Sequence, residues 1–91
     1  MTARRIRITG FVQGVFFRSS TKDKAEGLGI TGWVRNLYDG SVDMHVEGAD
    51  KEMKEFVEWV HTGPPAAKIR TVEVDVVQEV GYPSFEEEPR D

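Results

Sequence analysis

Three observations predict an α+β fold of the ferredoxin-like type, a β-α-β-β-α-β sandwich. Four runs alternate polar and apolar residues, the signature of half-buried strands. Two segments with apolar residues at helical spacing fall between the first and second and between the third and fourth of these runs. Asp39-Gly40 separates the middle two, a strong signal for a tight hairpin. Right-handed crossovers then place both helices on one face of an antiparallel sheet, with the first and third strands as its central, parallel pair.

Each element has its own warrant. Arg5-Ile6-Arg7-Ile8-Thr9 is the first strand, with Ile6 and Ile8 inward. Gly10 and Gly14 punctuate the turn after it. From about Phe17 the spacing of Phe17, Thr21, Ala25 and Leu28 is helical, and Gly29 suits a left-handed cap. Ile30 to Asn36 is the second strand and Ser41 to Glu47 the third, with Val42, Met44 and Val46 on one face. Asp50 can cap a second helix whose stripe is Met53, Phe56, Val57 and Val60, and Pro64-Pro65 forbids its continuation. In the fourth strand, Lys68 to Glu79, Val72, Val74 and Val76 point one way. Ile69 is out of phase with them, which predicts a bulge near Arg70-Thr71. Tyr82-Pro83-Ser84-Phe85 can start a short fifth strand at the edge, followed by an acidic tail over residues 86–91.

Ninety-one residues fit one domain, residues 1–91. The absence of cysteine excludes disulfides and thiol chemistry. No apolar run reaches the ~20 residues of a membrane span, so the expected location is the cytoplasm. A net charge of −4 disfavours a general nucleic-acid binder and leaves room for a small anionic ligand in a local pocket.

The informative stretch runs from Gly10 to Asn36. Gly14 to Phe17 lead into a helix start, where backbone N–H groups lack partners, and Arg18 stands beside them. Phosphate oxygens suit such a turn. Charge-assisted bonds contribute about 1.5–3 kcal/mol each and a helix N-terminus about 0.3–1 kcal/mol. Strand phase puts Asn36 on the core-facing side with Ile30 and Val34, at the end where helix and sheet leave a mouth. A carboxamide can hold a water there but is no strong base. Chemistry that rests on positioning and one cation requires a good leaving group, such as the carboxylate of a mixed carboxylic–phosphoric anhydride. Against this stand plain readings: a surface arginine, a turn-forming asparagine and glycines that merely bend the chain. The residues alone stop at an anion site.

Gly10-Phe11-Val12-Gln13-Gly14-Val15-Phe16-Phe17-Arg18, followed by Gly32-Trp33-Val34-Arg35-Asn36 and Asp39-Gly40, resembles the two signatures of the acylphosphatase family. Weaker similarities at Val46-Glu47-Gly48, Gly63-Pro64-Pro65 and Tyr82-Pro83-Ser84-Phe85 extend the resemblance over nearly the whole chain. It implies hydrolysis of small-molecule acyl phosphates without metal or cofactor; the chain is expected to act as a monomer. By position, Arg18 and Asn36 are its catalytic pair, the first binding the phosphoryl group and the second orienting the water. The backbone of Gly14, Val15, Phe16 and Phe17 binds the substrate, with Gly10, Gln13 and Thr21 in support. Two departures stand out. Phe16 occupies a position where relatives commonly carry a small residue or cysteine. Glu87 replaces an apolar, core-facing residue, which predicts a last strand that is short or frayed and has little bearing on the distant cradle.

His45, out of phase with the core, and His61, at a helix end, read as surface and helix-dipole residues. Trp33 reads as a partly covered aromatic on the sheet face away from the helices. Two other functions compete: a non-catalytic phosphate-binding module, and an RNA-binding sheet. The second needs stacking aromatics and a basic face that this chain does not offer.

Overall fold

The alternating runs and the helix-spaced stripes become seven elements, seen in a computed structural model that describes all 91 residues. They are β1 (Thr2–Phe11), α1 (Phe17–Gly27), β2 (Thr31–Asn36), β3 (Val42–Gly48), α2 (Asp50–Val60), β4 (Lys68–Val77) and β5 (Phe85–Glu87). The sheet order is β4-β1-β3-β2-β5, the ferredoxin-like arrangement with a fifth strand added at the β2 edge. Strand direction corrects one expectation. A helical crossover returns β2 parallel to β1 and the hairpin then reverses β3, so the central pair β1 and β3 is antiparallel, with Ile6 opposite Met44. The only parallel pair is β2 with β5, Gly32 facing Phe85 and Val34 facing Glu87, which makes the sheet mixed.

The core lies between the sheet and the helices. Ile6, Ile8, Val34, Val42, Met44 and Val46 meet Phe17 and Ala25 of α1 and Met53, Phe56 and Val60 of α2. Full burial of each large side chain contributes roughly 1.5–3 kcal/mol, which replaces the cross-links that the chain lacks. Gly29 takes the left-handed conformation after α1. Ala49, not Asp50, is the N-cap of α2; Asp50 and Glu52 lie inside its first turn, where they oppose the positive end of the helix dipole. The bulge anticipated from Ile69 is present. Thr9 pairs with Thr71 and Gly10 with Ile69, so Arg70 is the extra residue.

The opposite face of the sheet is less open than its polar sequence implies. Asp43 accepts from Arg5 Nη2 at 2.7 Å and from Arg35 Nη2 at 3.1 Å, and both guanidinium groups lie within 5 Å of the centre of the Trp33 ring. His45 is buried here, which corrects its reading as a surface residue. It stacks against Trp33 and places Nε2 2.7 Å from Oε2 of Glu47. Glu47 also accepts the amides of Val80 and Gly81, so one carboxylate clamps the connector between β4 and β5. Phase alone misplaced His45 because that connector, an irregular segment, covers the face. His61, by contrast, is exposed at the end of α2, with Nδ1 2.8 Å from the Val57 carbonyl.

This clamp sets an acid limit on stability. Burial pushes the Glu47 carboxyl up, but the amides of Val80 and Gly81 with the His45 ring outweigh it and hold it below the usual carboxylate range. Burial likewise opposes ionisation of Asp43, and Arg5 and Arg35 overcome it. A carboxyl with a lowered folded-state pKa stabilises fully above its unfolded value, near 4, and loses that contribution as the pH falls through the folded value. Thermal midpoints are therefore expected to stay level from pH 7 to about 5 and to drop below about 4. Glu47→Gln should shrink the acid-dependent part of that drop; an undiminished slope would remove Glu47 from this account.

Candidate active site

The turn between β1 and α1 is fixed by two core anchors. Val15 and Phe17 are buried, 5% and 2% exposed, while Phe16 between them is 81% exposed. Pinning both neighbours forces Phe16 into the left-handed region at φ 63°, and Gly14 lies there too at φ 75°. For a non-glycine residue such a backbone costs on the order of 1–3 kcal/mol, and it persists because the buried neighbours leave no alternative. Left-handed residues alternating along a turn aim successive N–H groups into one concavity suited to an anion. The amides of Gly14, Val15 and Phe16 belong to no helix or strand and donate to no backbone acceptor. Phe16 is also the N-cap of α1, with no side-chain cap and no acidic residue in the first turn. The positive end of that helix is uncompensated.

Arg18 stands one residue inside α1. Its Nη1 donates to the Glu88 carbonyl at 3.3 Å, a neutral contact that leaves the rest of the guanidinium fork uncommitted. Asn36 ends β2 on the core-facing side, 7% exposed, and its Oδ1 has no partner in the protein. Both side chains line one cleft of about 350 Å³ together with Gly14, Phe16 and Phe17. Strand phase thus brought Arg18 and Asn36 together correctly.

Comparison with known proteins decides what this cleft belongs to. A model of the family Acylphosphatase matches residues 4–87. A protein named acylphosphatase from Trichormus variabilis is 52% identical over 79 residues, covering 87% of this chain and 78% of the relative. Another, from Rubrobacter xylanophilus, is 52% identical over 71 residues, covering 78% of this chain; the match spans 64% of that relative's length. Among solved structures, an acylphosphatase from Coxiella burnetii superposes with a TM-score of 0.92 at 37% identity, covering 96% of this chain and 92% of the other. The chain belongs to the acylphosphatase family.

Four residues named from the acylphosphatase signature do not line the cleft with their side chains. Val15 is a core anchor. Gly10 sits in the β1–β4 pairing opposite Ile69. Gln13 donates from Nε2 to the carbonyls of Leu37 at 2.7 Å and Ser41 at 2.9 Å, tying the cradle turn to the hairpin below Asn36. Thr21 is fully buried with Oγ1 unpartnered, and no hydrogen bond joins it to Asn36.

The acylphosphatase cleft also contains residues that sequence reasoning missed. Val12, Ser19 and Glu87 complete its lining. The last strand is short, as expected, but the tail is neither frayed nor distant from the cleft, which is the main correction. Glu88 N donates to the Val34 carbonyl at 2.8 Å and Asp91 N to the Asn36 carbonyl at 3.0 Å, so the tail follows β2 beyond the three residues of β5. Arg90 Nη2 reaches Gln13 Oε1 at 3.1 Å. The signal was available in the phase of the last strand. Glu87 shares a face with buried Phe85 and lies one pleat beyond it, level with the approach to Asn36.

Proposed function

We infer that this chain, as one domain, hydrolyses the carboxyl–phosphate anhydride bond of acyl phosphates, releasing a carboxylate and inorganic phosphate, and that Arg18 and Asn36 carry the reaction. The observation behind this reading is their meeting in one cleft beside a turn of unpaired amides. The phosphoryl oxygens sit in the concavity of Gly14, Val15 and Phe16. The planar fork of Arg18 neutralises charge on them with paired N–H donors. The carboxamide of Asn36, in the wall of the cleft, orients the attacking water in line with the leaving carboxylate. A carboxylate departs without general-acid assistance, so positioning and electrostatics suffice. The partner is a small molecule, and a net charge of −4 speaks against nucleic acid. No helix is long and apolar enough to cross a membrane, and the proposed enzyme acts as a cytoplasmic monomer.

Phosphate release from benzoyl phosphate without added metal tests the activity, with a phosphate monoester as the unreactive control. Arg18→Lys keeps the charge and loses the fork. Loss of one charge-assisted bond is expected to lower kcat/KM by roughly 10- to 100-fold. Near-parental turnover in that variant would show that a point charge is enough.

A further inference from the structure

Phe16 and Glu87 both line the cleft that holds Arg18 and Asn36. They meet there from opposite ends of the sequence. Phe16 presents an aromatic ring that is 81% exposed, on a backbone whose left-handed conformation favours glycine. A large apolar side chain held open to water at such a place contributes nothing to the core. Glu87 is exposed on β5 and, unlike Glu86, which pairs with Ser84 and Lys22, it makes no hydrogen bond or ion pair. A carboxylate beside a phosphate cradle opposes the binding of every phosphate, so on electrostatic grounds its place needs a compensating use.

Resting on the acylphosphatase reading above, we propose that Phe16 and Glu87 select the acyl part of the substrate, favouring apolar, aromatic or cationic acyl groups and rejecting acyl groups that carry a second anion. The phosphoryl group is taken by the amides and Arg18 at the floor of the cleft, and the acyl group must leave through the mouth. There the Phe16 ring offers an apolar and cation-attracting face. Glu87 supplies repulsion to an anionic acyl chain, which is discrimination by an unfavourable contact rather than by a new bond. Two cations of the neighbouring elements are already engaged. Lys22 lies 3.7 Å from Glu86, and Arg90 is bound to Gln13.

The test compares kcat/KM for acetyl, benzoyl, succinyl and β-alanyl phosphate on the parent chain, Glu87→Gln, Glu87→Lys and Phe16→Ala. Removing one charge should raise all four phosphates somewhat, so ratios carry the result. For unit charges ~6 Å apart in a medium of dielectric ~40–80, Coulomb's law gives about a three- to tenfold effect. The succinyl-to-acetyl ratio is expected to rise by about that factor in Glu87→Gln and further in Glu87→Lys, and the β-alanyl-to-acetyl ratio to fall. Both shifts should fade at ~1 M salt, where screening acts within ~3 Å. Phe16→Ala should lower the benzoyl-to-acetyl ratio several-fold. Ratios unchanged within twofold in the Glu87 variants would overturn the proposal while leaving the activity standing. Loss of all turnover in Glu87→Gln would overturn it too, by making Glu87 part of the chemistry. No turnover of any acyl phosphate by the parent chain would instead reject the underlying activity.

Discussion

Asn36→Ala is expected to lower kcat by about 10²- to 10³-fold with little change in KM, the scale seen when a single preorganised polar group is removed from an active site. The phosphoryl group is held by the turn and by Arg18, neither of which the substitution touches, so binding survives and the in-line water is lost. Stability should move the other way. Oδ1 of Asn36 is buried with no protein partner, and a buried polar atom in that condition is a burden of about 1–3 kcal/mol unless solvent relieves it. Replacement by alanine is expected to hold or raise the thermal midpoint while activity collapses. Steady-state kinetics with benzoyl phosphate beside a melting curve checks both halves. A variant with near-parental kcat would remove Asn36 from the mechanism.

The largest effect on folding is expected at Gly32, far from any chemistry. It lies in β2 between β3 and β5, at φ 134°, and a Cβ there would stand 1.9 Å from the His45 carbonyl oxygen. Both the clashing atom and its neighbours are backbone, so no rotamer change relieves the contact. Gly32→Ala should therefore destabilise by about 4 kcal/mol or more, a large share of the ~5–15 kcal/mol that a domain possesses. Gly40→Ala makes the contrast. Its φ is also positive, at 95°, but an added Cβ meets nothing within 4 Å. Only the backbone penalty of about 1–2 kcal/mol applies there. Urea unfolding of both variants separates steric collision from conformational preference; equal losses would contradict the geometry.

Local rules carried most of the fold. Period-two and helical spacings placed six of the elements, and the single out-of-phase residue Ile69 located the β4 bulge. The meeting of Arg18 and Asn36 followed from counting faces along β2. What remained hidden was non-local. The burial of His45 depends on a connector held by Glu47 across 33 positions of sequence, which no pattern along β3 reveals. The course of the tail was likewise misjudged, because its hydrogen bonds use the backbone of Val34 and Asn36 and ignore side-chain character. Glu87 looked like a defect in a core position because the strand was assumed to be covered there. At the mouth of a cleft the same face of the sheet is open, and a carboxylate is admissible.

The contacts that tie the tail to the β1–α1 turn and the start of α1 join residues very far apart in sequence: Arg18 to Glu88 across 70 positions and Gln13 to Arg90 across 77. The pairing of β1 with β4 spans as many positions but is secured by a long ladder, whereas the tail has only a few bonds to offset the entropy of its loop. The strand that delivers them is three residues long and lies at a sheet edge, where local opening is easiest. Refolding should thus restore the tryptophan and core signals before it restores catalysis. In the native protein, amide exchange along residues 85–91 should run ahead of exchange in β1 and β3. Catalytic competence then becomes a clock for the last event in folding, read through the edge of the sheet instead of its centre.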